Sequence, residues 1–193
     1  MAFLVARKPG LLFVLSGPAG AGKTTLMQKL MKEFPEVVAN ISYTTRPARM
    51  GEENGKDYYF ISQEAFEEKI ASGDFLEYVK LYDTYYGSSR RWVEEQLAAG
   101  KHVFLVIDTQ GARKVRANTV VTSIFIRPPS VQVLRARLWK RQTESMEKIE
   151  ERLAWAEKEL LAAQEYEYQV VNEDVEMAYQ VLRSILIATC HKM

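Results

Sequence analysis

Gly17-Pro18-Ala19-Gly20-Ala21-Gly22-Lys23-Thr24 constrains this chain more than any other stretch. It fits the spacing G-x-x-x-x-G-K-[ST] and sits between a short apolar run, Leu11–Leu15, and a helical pattern, Lys23–Phe34, that stops before Pro35. A strand running in and a helix running out is the context in which that spacing folds into a phosphate cradle. Glycines and small residues let successive backbone N–H groups curl around a phosphate without Cβ clashes, and the helix N-terminus adds a favourable dipole. Lys23 supplies a mobile positive charge for the outer phosphates, and the Thr24 hydroxyl can ligate Mg²⁺. The expectation is that residues 17–24, namely Gly17, Pro18, Ala19, Gly20, Ala21, Gly22, Lys23 and Thr24, bind a nucleoside triphosphate, which the motif alone does not name further. The motif leaves the acceptor of the phosphate undefined.

The remaining text alternates strand and helix patterns. Val103–Ile107, Ile124–Ile126 and Val170-Val171 are short, β-branched or aromatic-rich runs bounded by turn or polar residues, as parallel strands covered on both faces are. Val131–Arg141 follows the start signal Pro128-Pro129-Ser130. Ile149, Leu153, Ala156, Leu160 and Ala163 form one apolar helix face, and Val175, Tyr179, Leu182, Ile185 and Leu186 form another behind the candidate cap Asp174. The predicted class is α/β with a parallel sheet flanked by helices. At 193 residues the chain is one domain's worth, given roughly 100–200 residues per domain. With 47% apolar and 26% charged residues it falls outside disordered, collagen-like and coiled-coil compositions.

Charge and cysteine content narrow the partners. Lys+Arg 26 against Asp+Glu 25 leaves a formal charge of +1, so no global field draws the chain to nucleic acid or membrane. The single cysteine, Cys190, cannot form an internal disulfide, and no Cys/His cluster suggests structural zinc. No apolar run approaches the roughly 20 residues needed to cross a bilayer, and residues 1–8 lack the features of a signal peptide. A cytoplasmic protein without an obligatory protein partner is expected.

Between about Ile41 and Ala99 the pattern becomes polar and hairpin-like. Asn54-Gly55-Lys56-Asp57 is a turn signal before the strand-like Tyr58–Ile61; a short helix follows, capped by Ser62 and stopped by Gly73; Phe75–Tyr82 reads as another strand. This predicts an antiparallel insert on the parallel core. Within it, Arg46 and Arg49 flank Pro47, and two guanidinium forks on a stiffened loop can grip one phosphate at little ordering cost. Asp108 follows the strand Val103–Ile107, where ligands of parallel sheets collect, and is a natural Mg²⁺ partner as well as a candidate helix N-cap.

Ser42-x-Thr44-Thr45-Arg46-x-x-Arg49, Gly51-Glu52, Asn54-Gly55-Lys56-Asp57-Tyr58, Phe75-Leu76-Glu77, Tyr85-Tyr86-Gly87-Ser88, Asp108-Thr109-Gln110-Gly111 and Arg127-Pro128-Pro129-Ser130 together resemble the guanylate kinase family. The match runs from about Leu11 to Tyr179. The resemblance implies a P-loop core (11–40, 100–136, 153–193), a GMP-binding lobe (41–99) and a lid (137–152), and transfer of the ATP γ-phosphate to GMP, with dGMP as a further acceptor. It places the GMP phosphate on Arg46, Arg49, Tyr58 and Tyr86, and the guanine on Ser42, Glu77 and Ser88. It makes Lys23, Arg46, Arg141 and Arg152 catalytic, adds Arg137 to the ATP site, and puts Mg²⁺ on Thr24 and Asp108. A carboxylate such as Glu77 can accept from guanine N1–H and its exocyclic amine, whereas adenine would leave it unpaired.

Two positions depart from the family pattern. Val106 stands where a carboxylate is usual, and strand alternation would put it on the same side as Asp108. Gln142 replaces the glycine of the lid's Arg-Gly-Thr. Two other readings remain open at this stage: a guanylate-kinase-like interaction module without chemistry, and a P-loop kinase for another phosphorylated acceptor such as a ribose bisphosphate.

Overall fold

The computed structural model describes residues 9–81, 83–140 and 146–192. Five strands, β1 (Leu12–Ser16), β2 (Val37–Ala39), β7 (His102–Val106), β8 (Thr122–Arg127) and β9 (Tyr168–Val171), pair in the order β2-β7-β1-β8-β9. Every pairing in this sheet is parallel, so its connections must cross over, and helices cover both faces. Central β1 is buried along its whole length, as the unbroken run LFVLS implies.

Alternation along the strands divides the core. One face sets Phe13, Leu15, Phe104, Ile124 and Ile126 against α1 (Lys23–Glu33) and α7 (Val175–Cys190). The other sets Leu12, Val14, Val103, Leu105 and Phe125 against α3 (Arg90–Ala98) and α4 (Thr109–Asn118). Stacking of Phe13 on Phe104, with centroids 4.5 Å apart, joins neighbouring strands on the first face. A third cluster links α5 (Val131–Lys140) to α6 (Met146–Ala162) through Leu134, Leu138, Ile149, Leu153 and Ala156. Among the described residues no helix is long and apolar enough to cross a membrane.

The polar stretch builds a second sheet of β3 (Tyr43–Thr44), β4 (Tyr59–Phe60), β5 (Phe75–Leu81) and β6 (Thr84–Ser89), in the order β4-β3-β6-β5. β3 and β5 each run antiparallel to β6, but β3 and β4 are parallel, which the hairpin-like reading did not anticipate. The Asn54-Gly55 turn closes on itself instead: Gly55 N–H donates to Tyr58 O, and Asn54 Oδ1 accepts from Phe60 N–H. The chain then enters β4 beside β3 in the same direction. Phe66 of α2 (Gln63–Ala71) stacks on Phe75 and Tyr85 beneath this sheet, and Ser62 caps α2 by accepting from Ala65 N–H.

Candidate active site

The expected phosphate cradle begins where β1 ends. Gly17 has φ +144°, and a Cβ there would lie 2.0 Å from the carbonyl oxygen of Ile126 on β8. Backbone cannot move aside as a side chain can, so only glycine lets β1 turn this tightly against its neighbour. Gly17→Ala is expected to cost about 1–3 kcal/mol in urea unfolding, through overpacking and backbone strain; an unchanged midpoint would mean the loop has room to shift.

Lys23 opens α1, and its Nζ donates to the carbonyls of Gly17 and Pro18, the latter at 3.1 Å. The ammonium is thereby folded back over the loop. Thr24, one residue on, is exposed. Asn172, just past β9, is buried and donates through Nδ2 to Ala21 O at 2.7 Å. Arg137 of α5 donates through Nη2 to Asn172 O at 2.9 Å, which sets it beside the cradle. Arg152 lies half-buried on α6. Arg141 and Gln142 lie outside the described residues.

Asp108 caps α4 by accepting from Gly111 N–H at 2.7 Å through Oδ1; its Oδ2 is buried and has no hydrogen-bond partner among the described residues. Val106 is the last residue of β7 and packs against the core beneath α1 and α7, while Asp108 caps a helix on the opposite face. The alternation expected to carry from position 106 to 108 therefore stops at the strand end. Glu77 of β5 reaches the same helix start. A Cβ on Gly111 would meet Glu77 Oε2 at 2.6 Å, so the absent side chain at Gly111 is what admits this carboxylate.

Glu77 is 4% exposed. Burial pushes its carboxyl up to about 7; a hydrogen bond from Ser88 opposes this, and Asp108 adds to it. Ser88, fully buried on β6, donates to Glu77 Oε1 at 2.7 Å. Asn40 Nδ2 donates to Ser88 Oγ at 3.1 Å and to Ser42 Oγ at 3.3 Å. The three expected base-reading residues, Ser42, Glu77 and Ser88, thus form one network tied together by Asn40.

The expected phosphate ligands gather on the same small sheet and its arginine loop, with Tyr58 entering β4 beside Ser42. Thr44 and Thr45 pin the arginine loop to β6: Thr44 Oγ1 donates to Tyr85 O at 2.9 Å, and Thr45 Oγ1 accepts from Tyr85 N–H at 3.0 Å. The Arg46 guanidinium lies over Tyr58, 5.0 Å from the ring centroid, and the Tyr58 and Tyr86 rings are 6.0 Å apart. Burial raises the Tyr58 hydroxyl pKa, and Tyr86 raises it further; Arg46 and Arg49 pull it down. All four residues therefore share one neighbourhood. Arg46 also pairs with Glu52 through two hydrogen bonds of 2.6 Å each.

Comparison with known proteins decides the relationship. The guanylate kinase family profile matches residues 10–189. A guanylate kinase of Protochlamydia amoebophila is 63% identical over 96% of this chain and 94% of that protein. One from Chlamydia trachomatis serovar D is 46% identical over 94% of this chain and 89% of its own length. The crystal structure of guanylate kinase from Anaplasma phagocytophilum superposes with a TM-score of 0.79 at 34% identity, covering 97% of this chain and 90% of that one. The chain belongs to the guanylate kinase family.

In this guanylate kinase family member the structure adds residues that motif reading did not single out. Glu159 of α6 is 7% exposed; burial pushes its carboxyl up to about 7, while Lys23 pulls it down and Asp108 pushes it up. It therefore belongs to the same electrostatic centre as the cradle lysine. Its signal was available: Glu159 follows Ala156 by three and precedes Ala163 by four, a charge on an apolar helix face. Asn40 and Asn172 carried no such signal, because their roles depend on long-range contacts with Ser88 and Ala21.

Proposed function

We propose that this protein transfers the γ-phosphate of ATP to GMP, giving ADP and GDP. The observation that carries the reading is the buried Glu77 carboxylate, held by Ser88 at the seam between the small sheet and α4. A buried carboxylate costs stability unless a ligand uses it, and guanine offers two donors on one edge. Ser42 and Ser88 flank it as further base contacts. Arg46, Arg49, Tyr58 and Tyr86 bind the acceptor phosphate, with dGMP accepted as well as GMP.

Residues 17–24 hold the donor phosphates with backbone N–H groups, and Lys23 moves its ammonium from the loop carbonyls onto the outer phosphates. Arg137, Arg141 and Arg152 belong to a lid (137–152) that closes between core (11–40, 100–136, 153–193) and acceptor lobe (41–99) and excludes water. The acceptor oxygen is already anionic at neutral pH, so in-line attack needs neither a side-chain nucleophile nor a strong base. Positioning and charge on the equatorial oxygens are what the protein must supply. The +1 balance gives no global field toward nucleic acid or a membrane surface, and the reading is of a cytoplasmic enzyme of small-molecule substrates without an obligatory protein partner.

Mg²⁺ fits the residues present: Asp108 Oδ2 is a buried hard oxygen without a partner among the described residues, and Thr24 offers a hydroxyl at the start of α1. When bound, Mg²⁺ neutralises charge on the donor phosphates. Thr24→Ala is expected to raise the Mg²⁺ concentration for half-maximal rate without shifting the thermal midpoint, since Thr24 is exposed. An unchanged Mg²⁺ requirement would remove Thr24 from the metal site. The transfer itself is tested by following ATP, GMP and Mg²⁺ with the protein by ³¹P NMR. Equal amounts of GDP and ADP support it; ADP accumulating without GDP would contradict it.

A further inference from the structure

The ion pair on Arg46 determines which part of that side chain a substrate can reach. Glu52 takes Nη1–H on Oε2 and Nη2–H on Oε1, both at 2.6 Å, in an end-on fork. The second Nη1 hydrogen goes to Pro47 O at 2.9 Å. A guanidinium has five N–H donors. Three are thus used, and the two that remain, Nε–H and the outer hydrogen of Nη2, lie side by side on one edge of the plane. Tyr58 and Phe60 cover the guanidinium, with centroids 5.0 and 5.6 Å from its central carbon, and so limit its tilt. Glu52 Oε2 also accepts from the backbone N–H of Arg49 at 2.8 Å, which ties the second arginine to the same anchor. Both side chains of the pair are largely buried, at 12% and 19% exposure. The Arg46 hydrogen bonds hold the Glu52 carboxyl down at about 2, so it stays ionised throughout the working range.

We propose that Glu52 is a positioning residue for the acceptor phosphate: it fills one edge of Arg46, leaves only the Nε–Nη2 edge for the phosphate, and fixes where Arg49 starts. This rests on the reading that Arg46 and Arg49 hold the acceptor phosphate. It has a consequence opposite to that of simple charge counting. Glu52 is an anion beside an anion site, so by Coulomb's law alone its removal should tighten binding of a phosphate. If its work is orientation, removal loosens binding, because Arg46 then samples many rotamers and must be ordered by the ligand.

The experiment compares guanosine with GMP, so that the phosphate contribution is read as a ratio of dissociation constants. Glu52→Gln keeps the shape but turns an N–H₂ toward the guanidinium and breaks the fork. Its GMP affinity and KM for GMP are expected to worsen roughly tenfold, with guanosine affinity and KM for ATP little changed. Unchanged guanosine binding also reports an intact fold. In an Arg46→Lys background there is no edge to select, so adding Glu52→Gln should then leave GMP binding unchanged or tighten it. If Glu52→Gln does not fold, Glu52→Asp, one methylene shorter, reads the same ratio and should also lose GMP preference. Equal or tighter GMP binding by the folded single variant overturns the proposal, as does an equal loss in the Arg46→Lys background. A native protein that binds GMP no better than guanosine would instead overturn the phosphate-site reading beneath it.

Discussion

Lys23→Ala is expected to lower kcat by about 10²-fold or more while the protein stays folded, as loss of one preorganised charge from a transition state does. Lys23 Nζ rests on the Gly17 and Pro18 carbonyls, a position from which it needs only a rotamer change to meet a phosphate. The cradle's own shape does not depend on it, because Gly17, the Ala21 N–H bond to Pro18 O and the Asn172 bond to Ala21 O hold the loop independently. KM for GMP should move little, since the residues proposed to hold the acceptor lie on the small sheet and its arginine loop. Glu159 should lose a partner that stabilises its charge, and so take up a proton more readily. Turnover near that of the native protein would contradict the role given to Lys23.

The second large effect concerns the base. Glu77→Gln should reduce the kcat/KM preference for GMP over AMP by roughly 10²-fold or more, out of the 10⁴–10⁵ a buried polar site can reach. A carboxylate only accepts, so it pairs with guanine and is left unpaired by adenine; an amide can turn its N–H₂ toward an acceptor. Unchanged selectivity would remove Glu77 from base reading. Two pH effects accompany it, because burial pushes this carboxyl from 4.5 up to about 7. The folded state then binds the proton more tightly than the unfolded chain, so stability falls as pH rises from 4.5 to 7, by about 3 kcal/mol, and the loss persists above 7. Glu77→Gln should therefore gain stability over the native protein at about pH 8 and lose that advantage below about pH 4.5. Guanosine, which has no titrating phosphate, should bind the native protein roughly tenfold more weakly at about pH 6 than at about pH 8. A flat guanosine profile would mean the carboxylate is not the group it meets.

What could be read from the sequence follows from how local each feature is. The cradle at 17–24 is eight contiguous residues between a strand and a helix, and its chemistry depends on little beyond that. The helix caps Ser62, Asp108 and Asp174 were legible for the same reason: each acts on an N–H two or three residues away. Strands β2 and β3 were not, because three and two residues carry no period and are strands only through their partners. The parallel pairing of β3 with β4 depends on a turn that closes locally rather than across two strands.

The site divides in the same way. Motif order put Glu77, Ser88 and Arg46 in one list, but only the fold sets Glu77 against Gly111, where a missing Cβ makes room for it. Glu52 lies in a motif that the resemblance used without assigning it a task, and its fork on Arg46 appears only in three dimensions. Val106 shows the limit of strand arithmetic: the period holds to the last residue of β7 and says nothing about Asp108 two residues later.

The central claim is that main-chain amides hold a donor while a separate sheet selects a guanine monophosphate. Its most direct measurement is kcat/KM for ADP formation from ATP and Mg²⁺ with GMP, dGMP, AMP, UMP and a ribose bisphosphate offered in turn. The account predicts that GMP exceeds AMP by about 10⁴-fold or more, with dGMP next and the ribose bisphosphate inert. A folded protein that phosphorylates none of them, or AMP as readily as GMP, would contradict it.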